Sequence, residues 1–313
     1  MLCRSPEPAS SAGHPLYPQG RQRLIRLDKL PAIVTKHSGT KPFRELSAMS
    51  ILLFEKRGPV ALLTLNRPEM MNALGQEGDG PAVTAVCAEI TADPSIRCAV
   101  LTGAGRAFSA GGDVKAMKEK QGAFGGSPAD IREGYRRNIH MIVRSIYNLE
   151  VPLISAINGP AIGLGCDVAC MADIRIAADT AKMGVTFLKL GLIPGDGGAW
   201  LLPRLIGASR AAELLFTGDV IDAKTAAEWG LVSRVVPADK LMDEALALAN
   251  KIAQQPPQAL RLAKTLMRHG TTSSYDTIME MSAAAQALMH ETNDHVEGVN
   301  AILEKRAPLF KGN

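Results

Sequence analysis

Apolar and polar positions along the chain switch repeatedly between strand-length and helix-length patterns. Residues 51–55 and 60–65 read as two short strands around the turn Arg57-Gly58-Pro59, and Asn66-Arg67-Pro68 ends the second. Residues 77–92 fit a helix closed by Asp93-Pro94. Residues 98–102 and 153–157 read as strands buried on both faces, and 174–178 as the next strand. Ile131, Tyr135, Ile139, Ile142, Val143, Ile146 and Leu149 recur at helical spacing and predict one helix, stopped by Pro152. The stretch 115–127, followed by Pro128, reads as a mobile connection. Strands alternating with helices through residue 236 predict an α/β fold with a parallel sheet and crossovers. Beyond Pro237 the pattern is helical, over roughly 238–253, 257–269, 273–290 and 293–304. Such a tail can close an active site or bind a neighbouring subunit.

Composition narrows the classes. Hydrophobic residues make up 46% of the 313 positions and charged residues 21%, which supports a sizeable core and argues against global disorder. Aromatics at 4% disfavour a base-stacking nucleic-acid surface. The formal charge of +4 suits a polyanionic ligand as well as nucleic acid and decides little. Residues 1–48 are rich in Pro, Ser, Arg and Lys without an apolar signal-peptide core. They read as a disordered or accessory leader, with Met49 as an alternative start and an organellar transit peptide as a second alternative. The cysteines Cys3, Cys87, Cys98, Cys166 and Cys170 are scattered, without the His spacing of a metal site. They fit buried reduced thiols, and so a reducing, cytoplasmic-type compartment. No apolar run reaches the roughly 18 residues of a membrane span.

Two loops share one design. Phe108-Ser-Ala-Gly-Gly-Asp-Val-Lys115 and Asn158-Gly-Pro-Ala-Ile-Gly-Leu-Gly-Cys-Asp167 each follow a buried strand, consist largely of small residues and lead toward a helix. Small residues let a ligand approach the backbone, and a helix N-terminus offers unpaired N–H groups with partial positive charge. Facing each other, the loops would form an oxyanion hole; alternatively, their glycines only permit tight strand–helix packing. Other readings fail on single residues. Gly103-Ala-Gly-Arg-Ala-Phe108 starts like a dinucleotide-binding loop but places Phe108 where Gly or Ala is needed. Ala107-Phe-Ser-Ala-Gly111 lacks the leading glycine of a nucleophile elbow. His140 falls beside the apolar stripe of its helix and reads as a structural histidine.

From residue 51 onward the chain resembles the enoyl-CoA hydratase/isomerase (crotonase) superfamily. The resemblance is carried in order by Leu65-Asn-Arg-Pro68 with Met71-Asn-Ala-Leu74, then Ala107 to Lys115, Ala156 to Asp167 and Ala172-Asp-Ile-Arg175. Gly191-Leu-Ile-Pro-Gly-Asp-Gly-Gly198, Phe216-Thr-Gly218 and Ala226-Ala-Glu-Trp-Gly-Leu-Val232 complete it. It implies a spiral of repeated β-β-α units in a core over 49–236, and a helical trimerisation region over 237–313. It also implies a homotrimer or a hexamer built as a dimer of trimers. Coenzyme A would enter as part of an acyl-CoA substrate, with no permanently bound cofactor or metal and no nucleic-acid or membrane partner. The implied oxyanion donors are the N–H groups of Gly112 and Leu164. Implied coenzyme A contacts are Ala73, Ala110, Asp113, Lys115 and Lys311, the last across a subunit boundary; both lysines also read as ordinary solvated side chains.

The chain departs from the family where the reaction is decided. A two-glutamate hydratase would place its acids at positions 167 and 187; here stand Asp167, shorter by one methylene (roughly 1.5 Å), and Phe187, which moves no proton. Asp196 lies one residue past the place where some family isomerases carry an aspartate base. It reads as a general acid/base or as the N-cap of the following helix. Asp167 reads as a proton-transfer group or as a buried carboxylate held by backbone donors. Tyr135, Phe187 and Trp200, with Phe124, are expected to shape the acyl pocket. Hydration and double-bond isomerisation stand level. Other enolate outcomes (thioester hydrolysis, C–C cleavage, decarboxylation) and non-catalytic acyl-CoA binding are the alternatives.

Overall fold

The computed structural model describes residues 50–313, so the expected leader lies outside the described residues. Six strands form the main sheet: β1 (Leu52–Arg57), β2 (Val60–Leu65), β3 (Cys98–Gly103), β4 (Leu153–Ile157), β6 (Ile174–Ala178) and β9 (Arg234–Val236), in that spatial order. β1 pairs antiparallel with β2 and every later pair is parallel. Every residue of β3 and β4 is buried, as their unbroken apolar sequences predict for central parallel strands. A second sheet joins β5 (Ala161–Ile162), β7 (Lys182–Gly184) and β8 (Val220–Asp222). These strands are too short to show an alternation, which is why the sequence does not announce them.

The helices are α1 (Asp79–Ala92), α2 (Val114–Glu119), α3 (Pro128–Gly134), α4 (His140–Tyr147), α5 (Leu164–Cys170), α6 (Gly198–Ile206), α7 (Ala208–Thr217) and α8 (Ala223–Glu228). The C-terminal helices are α9 (Leu241–Ala253), α10 (Pro257–His269), α11 (Tyr275–His290) and α12 (Asn293–Leu303). One expectation is corrected and one is refined. The stretch 115–127 is not an unstructured connection: Asp113 caps α2 by accepting from Ala116 N at 3.0 Å, and a 3-10 turn follows at Gly122–Phe124. The single helix expected over 131–149 forms as one continuous helical run, α3 leading into α4, with a π-helical turn at Tyr135–Ile139 inside it.

Helix α9 packs on β2, β3, β4 and β6 through Leu241, Ala245, Ala249 and Ala253. Four-residue spacing puts these on one stripe, and three alanines let the helix lie close to the sheet. α10 is anchored differently. Lys264 Nζ lies 2.8 Å from an Asp173 carboxylate oxygen and donates to Val151 O at 2.8 Å, while Arg268 meets the same carboxylate at 2.7 Å. Burial pulls the Lys264 ammonium below its usual range, and Asp173 opposes that pull. Removing the acid would strand two buried or half-buried cations. Asp173→Ala is therefore expected to cost about 3–5 kcal/mol in urea unfolding, whereas an exposed pair such as Lys224–Glu228 contributes at most about 1 kcal/mol.

Candidate active site

Adjacent parallel strands β3 and β4, in register at Leu101↔Ser155, deliver their following loops to the same edge of the sheet. The first loop is then fixed on both sides. Ala110 N donates to Met71 O and Leu74 N to Gly111 O, both at 2.8 Å. On the other side Ser109 N donates to Pro160 O at 3.1 Å and Ile162 N to Ser109 O at 2.9 Å. Two asparagines staple the turns. Fully buried Asn72 donates to Ala104, Ala107 and Phe108 carbonyls at 2.8–3.2 Å. Asn158 donates to Gly103 and Gly105 carbonyls, both at 3.0 Å, and accepts from Gly103 N at 3.1 Å. Both asparagines stand in the motifs read above, yet their carbonyl partners lie 32 or more residues away and leave no local signal.

Close approach of the two loops depends on Gly111. Its φ is +93°, and a Cβ there would sit 2.5 Å from Ile162 O and 3.3 Å from Leu164 N. The Leu164 amide thus lies directly beside the first loop. Leu164 opens α5 after Gly163 at φ +54°, so its N–H has no intrahelical acceptor. Among the described residues, neither the Gly112 amide nor the Leu164 amide donates a hydrogen bond to protein. Two unengaged donors at the meeting point of two buried loops can stabilise an oxygen on which negative charge develops.

Two buried carboxylates stand out, Asp167 three residues beyond Leu164 on α5 and Asp196 in the turn before α6. Asp167, on α5, is fully buried; one oxygen accepts from Gly198 N at 3.0 Å and the other has no protein partner. Burial pushes its pKa well above the carboxylate range, with Cys170 and Asp196 adding to the rise and the Gly198 amide opposing it. Asp196 is 4% exposed, one of its oxygens has no protein partner, and burial pushes it up to about 7. It is not the cap of α6. That position is Gly197, without a side-chain cap bond, and the first amide of α6 is taken by Asp167, 31 residues away. Gly198 must be glycine for this, since a Cβ would fall 2.4 Å from an Asp167 oxygen.

A cavity of about 430 Å³ opens at Asp196 and is walled by Val143, Tyr147, Met171, Trp200 and Leu201. Trp200 and Tyr147 meet edge to face at 5.8 Å. Tyr135 stands at the Gly195 side of the turn, half-buried, its pKa raised by burial and then by Asp196. Phe187 packs beside Gly163. Of the three residues expected to shape the acyl pocket, Trp200 lines this cavity, whereas Tyr135 stands beside Gly195 and Phe187 beside Gly163. Ala110 lies within the first loop, and Ala73 stands just before Leu74, whose amide bonds to Gly111 O; Ala73 O itself accepts from Arg67 at 2.6 Å. The Asp113 carboxylate is engaged with Ala116 N and, at 3.2 Å, with Gln76, while Lys115 is exposed on α2. Lys311 is not brought to the site within this chain. Its amide bonds to Asp294, and neighbouring Phe310 accepts from Arg97 at the start of β3, the end of the strand opposite the loops.

The profile of the enoyl-CoA hydratase/isomerase family matches residues 55–313. The chain belongs to that family. It is 39% identical over 265 residues to 1,2-epoxyphenylacetyl-CoA isomerase of Escherichia coli, covering 84% of this chain and 99% of the relative. Against crotonyl-CoA hydratase of Syntrophomonas wolfei it is 37% identical over 260 residues, 83% of this chain and 97% of that one. The crystal structure of enoyl-CoA hydratase from Bacillus anthracis superposes with a TM-score of 0.79 at 36% identity, covering 84% of this chain and all of that one. This family membership makes the protein an acyl-CoA enzyme of the hydratase/isomerase type with the crotonase fold. Among the described residues no helix is long and apolar enough to cross a membrane.

The raised Asp196 pKa carries a stability consequence. Between its ordinary value of 3.8 and about 7, the folded chain holds a proton that the unfolded chain releases. The associated stability is fully present below the lower value, declines through that window and is gone above the upper one. Asp196→Asn is therefore expected to exceed wild type at pH 8 by up to about 4 kcal/mol, a gain that shrinks toward pH 4. Urea unfolding at the two pH values checks this; equal pH dependence in both proteins would refute it.

Proposed function

We propose that the enzyme shifts the double bond of an enoyl-CoA through a thioester enolate. The N–H groups of Gly112 and Leu164 would hold the thioester oxygen, and Asp196 would move the proton between the α- and γ-carbons. The observation that favours isomerisation is the unequal state of the two carboxylates. Asp167 is fully buried, with one oxygen committed to Gly198 N, and burial holds its pKa well above the usual carboxylate range. Asp196 faces the cavity and burial pushes it up to about 7, where a single base can both take and return a proton. Deprotonation beside the carbonyl forms the enolate, and reprotonation at the far carbon completes the shift with no net gain or loss of protons.

Hydration is the second reading, supported by one feature: Asp167 and Asp196 each keep an oxygen without a protein partner. Such a pair can hold a water between an acid and a base. The two readings separate in one assay set. A 3-enoyl-CoA converted to its 2-enoyl isomer, with crotonyl-CoA left unhydrated, supports isomerisation; rapid hydration of crotonyl-CoA with no isomerisation overturns it.

Coenzyme A would lie along Ala73, Ala110 and the first turn of α2, near Asp113 and Lys115. Lys311 could contribute only from a second subunit. The exposed apolar residues Leu288, Val296, Ile302 and Leu303 on α11 and α12 support a homotrimer or a dimer of trimers built through the C-terminal helices. Four buried free cysteines, Cys87, Cys98, Cys166 and Cys170, support a reducing compartment, cytoplasmic or an organellar matrix.

A further inference from the structure

The turn that carries Asp196 is flanked by glycines, Gly195 and Gly197, the latter at φ +114°. Glycine on both sides leaves the backbone of the turn with little conformational restraint of its own. Inside the turn only Gly195 N donates locally, to Ile193 O at 2.8 Å. The Asp196 carboxylate gives no anchorage, because one of its oxygens has no partner at all. Two side chains from different helices grip the turn instead, one at each end. Asp167 of α5 accepts from Gly198 N at 3.0 Å on the far side. His140 of α4 holds the near side, with Nε2 3.1 Å from Gly195 O. A carbonyl oxygen only accepts, so Nε2 must carry the hydrogen.

The position of His140 is itself prepared. It is the first residue after the π-helical turn Tyr135–Ile139, and such wide turns are found frequently at functional sites. Within that turn Asn138 is tied down by three bonds. It accepts from Gly80 N at 2.6 Å and donates to Gly75 and Gln76 carbonyls at 2.9 and 2.8 Å. Tyr135 packs edge-on to the His140 ring at 6.0 Å. The imidazole is thereby braced on the helix side while its Nε2–H holds the carbonyl immediately before Asp196.

We propose that His140 is a positioning residue for Asp196. Its bond to Gly195 O fixes the turn so that the carboxyl is aimed at the substrate carbons. This rests on Asp196 being the proton-transferring group. A misplacement of about 1 Å at a reacting group can reduce turnover about 100-fold without touching binding elsewhere.

The test uses His140→Phe, His140→Gln and Asp196→Asn in the full chain, with a 3-enoyl-CoA as substrate and a saturated acyl-CoA as binding probe. His140→Phe is expected to lower kcat about 10- to 100-fold while KM and the dissociation constant of the probe stay within about twofold. His140→Gln offers an amide N–H at a similar reach and is expected to recover most of kcat. Should the Phe variant not fold, His140→Asn, polar but too short to reach Gly195, takes its place. Wild-type kcat in His140→Phe, beside an inactive Asp196→Asn, would overturn the positioning role and leave the Asp196 reading standing. Full activity in Asp196→Asn would overturn both. Equal losses in the Phe and Gln variants, with KM and probe affinity changed as much as kcat, would mark His140 as structural only and overturn the proposal.

Discussion

Asp196→Asn is expected to lower turnover by at least about 100-fold while leaving acyl-CoA affinity within about twofold. The amide keeps the size of the carboxyl and cannot move a proton. The same variant should be the more stable protein above pH 7, because the buried charge it removes is a burden to the fold. Lost activity with gained stability distinguishes a catalytic carboxylate from a structural one, whose removal would reduce both. The pH dependence has a definite sign. A base works unprotonated, so wild-type kcat/KM should fall as pH drops through about 7, where burial has moved Asp196. The residual activity of the Asn variant should lack that acid limb. Wild-type turnover in Asp196→Asn would remove Asp196 from the chemistry and leave one buried carboxylate, Asp167, to explain the reaction.

Gly112→Pro is expected to lower kcat by about 10²–10³, with a smaller effect on binding, because it deletes one of the two unengaged amides. Sterics must be separated from the missing donor. A Cβ at Gly112 would lie 2.7 Å from the terminal methyl of Met117, a flexible chain end that can move aside. Gly112→Ala keeps its N–H and should retain most activity, so the gap between Ala and Pro reports the donor. Gly111→Ala makes a different point. Its backbone sits at φ +93° with Ile162 O only 2.5 Å from the added carbon. It should push the loops apart, costing both stability and turnover even though no donor is removed. Equal activity in the Pro and Ala variants of Gly112 would refute the donor assignment.

Part of this was legible in the sequence. The central strands are unbroken apolar runs, and the two small-residue loops that follow them are adjacent for the reason the parallel reading gives: neighbouring parallel strands end at the same edge. The C-terminal helices appear within a few residues of the expected positions because their apolar stripes are regular. The π turn was not legible. Widening a helical hydrogen bond by one residue leaves the apolar spacing of Ile131, Tyr135, Ile139 and Ile142 nearly unchanged. The order of α2 was legible in principle, since Asp113 is an ordinary N-cap signal, but the glycines after it suggested mobility. Asp196 was ambiguous for a physical reason. An aspartate ahead of a helix is commonly a cap, and only the folded chain shows that Asp167 has taken that role from another helix. The roles of Asn72, Asn158 and His140 depend on contacts 32 to 55 residues away, which no local pattern encodes.

The most direct test of the account is a crystal structure with a non-reactive acyl-CoA bound. One thioester oxygen is expected within about 2.7–3.1 Å of both the Gly112 and Leu164 nitrogens, with the Asp196 carboxyl facing the acyl carbons. A thioester oxygen bonded to neither amide, or to solvent alone, would contradict it.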